Sequence, residues 1–438
     1  MPTSFSPPFA PTTHADWLAQ VQKDLKDSTI YESLRWHSPE GFTVEPYYTA
    51  EDMTPAMTVM SQNGQKSIPG WLNAPAYNSV AGDEKHQNTT LREALLTGAD
   101  ALLLQITDEL SLPRLLNGIK LSDTPVFFQL NPGVDASRFM ADLRQIAPYQ
   151  LRGGMLTDAI PPAILTDLMG QSVTSPNFRT IGISSHEFHS AGATATQELA
   201  FTLARLTETY AQLHEMGFSV EQLLPKTMVS VSVGTSYFVE MAKLRALRVL
   251  IARIWPAATS YPMLIHGQTS TFYEAAATPY TNLLRATTEA MAAVIGGADV
   301  LTVRPYDAVL NHSPGEFSHR IARNISTMLK AESYLDKVAD PAAGSYYIEN
   351  LTFQLAEAAW ALFQKVQEMG GFTKVVDSGY VHQELNKAYA AKVDAVQNGR
   401  VLVGVTKFRH DEVGAEAKPA LKQTDVDVTN RRLASEFE

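Results

Sequence analysis

MVSVSVG (228–234), PMLIHG (262–267) and VLTVR (300–304) are short, continuous apolar runs, each followed closely by polar residues. Runs of this kind are expected of parallel strands buried on both faces. The stretches between them are long enough for crossover helices, and YFVEMAKLRALRVLIARIW (237–255) is clearly amphipathic. The same texture recurs towards the N-terminus in WLNAPAY (71–77), ALLLQ (101–105), VFFQL (126–130), GGMLT (153–157) and TIGIS (180–184). ATATQELAFTLARLTETYAQLHEMG (193–217) supplies a second clear amphipathic helix. Eight βα alternations over about 230 residues predict an α/β fold of the (β/α)8 TIM-barrel type. An open doubly wound sheet is the alternative.

Working outward, residues 1–13 are rich in Pro, Ser and Thr and are expected to form an extended arm. A helical pattern starts at Asp16, with Trp17, Leu18, Val21 and Leu25 near helical spacing. A loop-like stretch follows, with Pro39, Gly41 and Pro46, and PYYTAEDM (46–53) closes the leading segment. Beyond the eighth run, residues 317–333 and 350–370 read as long helices, and 375–400 as a helical pair. GGAD (296–299) reads as a helix C-cap and turn. The polar tail, 410–438, resembles a linker or flexible arm. The expected organisation is therefore an N-terminal arm and leading helix (1–69), a barrel (70–372), and a helical extension with a tail (373–438).

Composition narrows the function classes. The chain has 438 residues, 45% hydrophobic and 18% charged, which is ordinary globular composition. It has no cysteine, which removes disulfides, thiolate metal sites and a cysteine nucleophile, and fits a cytoplasmic protein. A formal net charge of -11 argues against general nucleic-acid binding, which rests on clustered Lys and Arg. A membrane span is not expected, because no apolar run approaches the required length. MPTSFSPPFAPTTHADW (1–17) has neither the basic start nor the apolar stretch of a signal peptide.

Barrel active sites lie at the C-terminal strand ends. Those ends offer His186, Glu187 and His189 after the fifth run, Tyr237 after the sixth, His266 and Gln268 in the seventh, and Arg304 in the eighth. Imidazoles move protons near neutral pH, and a guanidinium holds carboxylate or phosphate. HEFH (186–189) lacks the spacing of a helical zinc motif and has no evident third ligand, so no metal site is expected. The chain contains no GxGxxG, GxxxxGK[ST] or GxSxG motif. His266 is equally readable as a satisfied strand-end histidine, and Arg304 as a structural ion-pair residue.

Longer segments carry a resemblance. FRTIGISSHEFHSAGATATQELAFTLA (178–204), SVSVGTSYFVEMAKLRALRVL (230–250) and HGQTSTFYEAAATPYTNLLRATTEAMAAVIGGADVL (266–301) resemble the methylmalonyl-CoA mutase family. So do FSHRIARNISTMLKAES (317–333) and DPAAGSYYIENLTFQLAEAAWALFQKVQEMGGF (340–372), with PYYTAEDM and VGVTKF (403–408) towards the two ends. These matches occur in order over nearly the whole chain. The resemblance implies a barrel and the radical rearrangement of an acyl-CoA, with adenosylcobalamin as the radical source.

The resemblance also implies departures. The family's cobalamin domain carries DxHxxG, and none of the eleven histidines here follows an aspartate by two residues. This chain is therefore expected to bind no cobalamin through its own motifs and to lack that domain. Catalytic chains carry Tyr-His where His186 and Glu187 stand, an arginine where Leu264 stands, and an asparagine where Arg304 stands. Their TxRQYAG segment has no counterpart; WLNAPAYN (71–78) occupies its place. FHSAGA (188–193) is similar to the family's small, non-catalytic (beta) subunit, which pairs with a cobalamin-bearing large subunit. The expectation is an accessory chain of a heterodimeric mutase, with no catalytic residue of its own. His186, Glu187, His189, Tyr237, His266, Gln268 and Arg304 would then line a vestigial pocket, adenosylcobalamin would sit in the partner, and an acyl-CoA is a further candidate ligand. Two other readings stay open: a catalytic barrel whose cobalamin domain is a separate polypeptide, and a diverged barrel with other chemistry.

Overall fold

A computed structural model describes residues 12–26, 28–106, 110–157, 160–411, 417 and 430–438. All eight apolar runs form parallel strands; the first is broken into two segments, and a short extra strand precedes the fifth. The strands are β1 (Leu72–Asn73), β2 (Ala76–Ser79), β3 (Leu102–Ile106), β4 (Val126–Leu130), β5 (Gly153–Met155), β6 (Phe178–Arg179), β7 (Ile181–Ser184), β8 (Thr227–Val233), β9 (Leu264–Thr269) and β10 (Val300–Thr302). The helices that matter below are α1 (His14–Leu25), α2 (Glu84–Leu96), α3 (Ala136–Ile146), α4 (Pro162–Gln171), α5 (Ala195–Glu215), α6 (Tyr237–Ile254), α7 (Thr281–Ile295), α8 (Glu316–Ala331), α9 (Tyr346–Glu368) and α10 (Tyr380–Gln397).

The strands pair in two five-stranded parallel sheets, β1-β10-β9-β8-β7 and β2-β3-β4-β5-β6. The expected single closed ladder is corrected at two points. Between β1 and β2 stands Pro75, which has no N–H to give to a ladder. Between β6 and β7 stands Thr180, whose N–H turns to Lys226 O at 3.0 Å. Each edge of one sheet thus continues along the chain into an edge of the other.

The alternation within strands separates two cores. In β8, TMVSVSV, all seven residues are buried. Val229, Val231 and Val233 join the large core beneath the helices, together with Leu102, Leu104, Phe128, Ile265 and Leu301. The opposite parity builds a smaller cluster drawn from both sheets: Ala74, Ala101, Leu103, Phe127, Leu156, Met228 and Val300. Leu72, Ala76 and Leu264 pack against it. Because both sheets contribute to one cluster, they face each other across a shared interior. Gly153 illustrates how tightly neighbouring strands approach: its φ is +114°, and a Cβ there would lie 2.0 Å from Val126 O.

Helix starts follow local chemistry. Thr194 accepts from Gln197 N while Gln197 returns a bond to Thr194 N, closing a capping box on α5. The leading segment strengthens the same end. Glu40, on a turn joining the antiparallel strands Trp36–His37 and Thr43–Val44, accepts from Ala195 N at 3.1 Å and Thr196 N at 2.7 Å. A carboxylate there satisfies two free helix donors and complements the helix dipole. Glu40→Ala is expected to lower stability by about 1 kcal/mol. Glu40→Gln should recover part of that loss, and urea unfolding midpoints of both variants check it.

The predicted helices appear near their expected bounds, and GGAD caps α7, with Gly297 at φ +97°. Residues 1–11 of the expected arm lie outside the described residues. The end of the tail departs from the expected linker: residues 430–438 dock back onto the body. Leu433 N donates to Phe272 O and Arg431 N to Ser190 O, both at 2.8 Å, and Leu433 and Ala434 are fully buried. The amphipathic pattern there, one leucine and one alanine amid charge, is too short to be legible as a docking segment. Among the described residues, no helix is long and apolar enough to cross a membrane.

Candidate functional site

The interior changes character from one end of the strands to the other. Above the apolar cluster, the inward parity carries Ser184, Ser230, Ser232, His266, Gln268 and Thr302 in register across β7 to β10. His186, one turn beyond β7, folds over this layer. Its Nδ1 lies 2.7 Å from Ser232 Oγ and its Nε2 lies 2.7 Å from Ser230 Oγ. Ser230 Oγ is also 2.6 Å from His266 Nδ1, and His266 Nε2 is 2.9 Å from Thr302 Oγ1.

The direction of this chain follows from its end. Thr302 donates its hydroxyl to Ala74 O at 2.6 Å, so its oxygen accepts from His266 Nε2–H. His266 Nδ1 is then an acceptor and takes the Ser230 proton. Ser230 in turn accepts from His186 Nε2–H, and His186 Nδ1 accepts from Ser232. Every bond is satisfied with both rings neutral. A proton added to either ring would face a hydroxyl already donating to it. Burial pushes the His266 pKa down to about 3, with His186 adding to the effect. Burial likewise pushes His186 down to about 4, against the pull of Glu198. Both rings are therefore neutral near neutral pH.

Of the other sequence candidates, only Gln268 joins this layer. Glu187 turns away from the interior and forms a buried ion pair with Arg205 of α5. His189 belongs to a separate network: its Nδ1 is 3.2 Å from Glu198 Oε2, and its Nε2 is 2.7 Å from Ser270 Oγ. Glu198 also accepts from Lys243 at 2.7 Å, and Lys243 donates to Ser232 O and pairs with Glu240. Burial alone would raise the Glu198 pKa, but Lys243 and His189 hold it well below the usual carboxylate range. Burial alone would lower Lys243, but Glu198 and Glu240 push it up. Tyr237 starts α6, with its ring edge-on to Phe238 at 5.3 Å, and burial raises its hydroxyl pKa. Gln268 shares the inner parity with its register neighbours Ser232 and Thr302. Arg304 lies apart, on a cleft with Tyr77, Gln105 and His319.

Sequence reading missed Ser230, Thr302, Glu198 and Lys243. The alternation of Ser with Val in β8 was the available signal for the first, since it marks which residues share the inward side. Nothing in the pattern around Lys243 distinguished a fully buried lysine from an exposed one on an amphipathic helix. The imidazoles facing the interior do not suit a cobalt ligand, because both nitrogens of His186, His266 and His189 are engaged within the chain. Among the described residues, no group of three His, Cys, Asp or Glu is placed to share a metal ion.

A profile of the methylmalonyl-CoA mutase family matches residues 162–436. The methylmalonyl-CoA mutase small subunit of Porphyromonas gingivalis is 30% identical, over 98% of this chain and 76% of the relative. The small subunit from Streptomyces virginiae is 30% identical over 92% of this chain and 72% of its own length. A methylmalonyl-CoA mutase of Rhizobium meliloti is 31% identical over 91% of this chain, and there the chain spans 64% of the relative. Parallel strands, a polar layer above an apolar one, and end-to-end similarity converge: this chain belongs to the methylmalonyl-CoA mutase family.

Proposed function

We propose that this chain is the small, non-catalytic subunit of an adenosylcobalamin-dependent methylmalonyl-CoA mutase. The interconversion of methylmalonyl-CoA and succinyl-CoA would be carried out by a cobalamin-bearing large subunit in a heterodimer. We read the two facing sheets as halves of one (β/α)8 barrel, whose N-terminal segment contributes to the subunit contact. The two small-subunit relatives support a large partner for this chain.

The observation that carries the reading is the filling of the interior. Radical rearrangement needs a dry space that closes around the substrate. Here Phe127, Leu103, Leu156 and Met228 occupy the lower interior, and the hydrogen-bonded His186–Ser230–His266–Thr302 chain closes the upper part. A ligand entering would have to break bonds that are already satisfied, leaving buried polar groups unpaired. The positions that the family resemblance marks as catalytic are committed elsewhere. Glu187 is spent on Arg205, and Leu264 packs on the apolar cluster opposite Met228. The residues His186, His189, Tyr237, Gln268 and Arg304 are accordingly proposed as remnants of a pocket rather than reaction groups.

Co-expression with the cobalamin-bearing homologue of the same genome tests this. A one-to-one complex by native mass is expected, with mutase turnover that the chain alone lacks even with added adenosylcobalamin. His186→Ala in that complex should leave turnover nearly unchanged. A 100-fold loss in a correctly assembled variant complex, about 2.7 kcal/mol of barrier, would overturn the reading, as would turnover by the isolated chain.

A further inference from the structure

A cavity opens beside the upper end of the interior. It runs between α2 and α8 and reaches inward to the end of β2 and to Arg304, with a volume of 630 Å³. That is the size of an ordinary small-molecule site. One wall is a stacked pair, Tyr77 and His319, with ring centroids 4.9 Å apart and planes at 25°. The α8 side presents His319 and Arg320 on one turn and Arg323 on the next, and Arg304 forms part of the floor.

Arg304 is the unusual element. Its backbone N–H is satisfied by Thr269 Oγ1 at 2.7 Å. Its guanidinium has no ion pair or hydrogen bond among the described residues, and its Nε is buried without a partner. A guanidinium stays charged under all ordinary conditions, and a buried charge without a counter-ion is costly. Neighbouring carboxyls do not supply that counter-ion. Asp307 accepts from Ser318 Oγ at 2.5 Å and makes no ion pair with Arg304. Glu274 is buried, burial raises its pKa above the usual carboxylate range against the pull of Arg304, and it makes no ion pair with Arg304 among the described residues. Arg323 also lines the cavity; it gives its Nε to Thr97 O at 3.0 Å and its guanidinium acts on the Tyr77 hydroxyl. Arg320 is exposed, resting over the Phe317 ring at 5.4 Å. The acidic residues of the cleft, Asp83, Glu93 and Glu316, make no ion pair with these arginines among the described residues; Glu93 and Glu316 sit on its exposed rim.

We propose that this cleft is a binding site for a small oxyanion, of phosphate or polycarboxylate type, seated on Arg304 between Arg320 and Arg323. The fork of a guanidinium matches the spacing of such oxygens, and the Tyr77–His319 wall gives the ligand an apolar flank. The site touches the upper rim of the interior through Ala76, Gln105 and Arg304 but uses no partner chain, so its test on this chain alone is separate from the co-expression test.

Thermal unfolding of the full chain against inorganic phosphate and against citrate, at constant ionic strength, tests it. A saturating rise in Tm is expected with at least one probe, and the probe that saturates identifies the oxyanion class. Arg304→Gln should abolish the rise. Arg320→Gln, an exposed change that leaves folding intact, should shift half-saturation at least threefold upward. A rise that never saturates and is equal in wild type and both variants reflects general exclusion of the salt from the protein surface and overturns the proposal. Absence of any rise overturns it as well.

Discussion

Arg245→Met is expected to lower the unfolding free energy by about 3–5 kcal/mol, the cost of breaking a buried ion pair from one side. Arg245 lies on α6 and is 2% exposed. Its Nη2 donates to both carboxylate oxygens of Glu349 on α9 at 2.8 Å, and its Nη1 pairs with Asp340. Glu349 is held further by Ser61 Oγ and by Gly344 N at 3.0 Å. One guanidinium therefore joins α6, α9, the turn before α9 and the helix Pro55–Gly64. Removing it leaves two buried carboxylates facing each other without a counter-charge. Lysine keeps the charge but has no fork, so Arg245→Lys should fall between wild type and Met. Urea unfolding of the three proteins decides the matter. A loss below about 1 kcal/mol for the Met variant would mean that the carboxylates find water or other donors.

The eight strands were legible because each is a short apolar run of β-branched and aliphatic residues between helix-length gaps. The breaks were less so. Pro75 was visible, but whether a proline ends a strand or passes it between two sheets depends on which neighbours it meets. Thr180 gives no signal at all. The length of α9 and the cap of α7 were readable from periodicity and glycine placement, whereas the docking of 430–438 depends on a receptor surface formed by residues near 190 and 272, far away in sequence. The site shows the same division. Residue type and strand-end position singled out His186, His266 and Arg304, but not their separation into a sealed chain and an open cleft. His189 and Glu187 stand beside His186 in sequence, and one turn of helix sends the three into different surroundings. Family resemblance located the altered catalytic positions. Only packing shows what the replacements do: Leu264 extends an apolar floor and Glu187 ties a strand end to α5.

His266→Gln is expected to change the pH dependence of stability in a defined direction. In the unfolded chain His266 titrates near its ordinary value of 6.5, and in the fold it is held down to about 3. As pH falls below 6.5 the unfolded chain takes up a proton that the folded chain refuses. Stability from this group is therefore fully present above pH 6.5 and is lost towards pH 3, at about 1.4 kcal/mol per pH unit. His186, held down to about 4, adds a loss of the same sign. Glu274 and Glu289 act in the opposite sense, because burial keeps their carboxyls protonated well above the range in which they ionise when unfolded. Their stabilisation is lost as pH rises, so the wild-type slope between pH 4.5 and 6.5 is a difference of opposed effects. The variant isolates one of them. Glutamine retains a donor and an acceptor for Ser230 and Thr302 but does not titrate. Relative to wild type, the variant should gain about 2.3 kcal/mol between pH 6.5 and 4.5, since the carboxyl contribution is common to both. Urea midpoints measured across that range give the difference directly. A flat difference would show that the folded chain protonates His266 as readily as the unfolded one, and the neutral Ser232–His186–Ser230–His266–Thr302 chain that closes the interior would have to be abandoned.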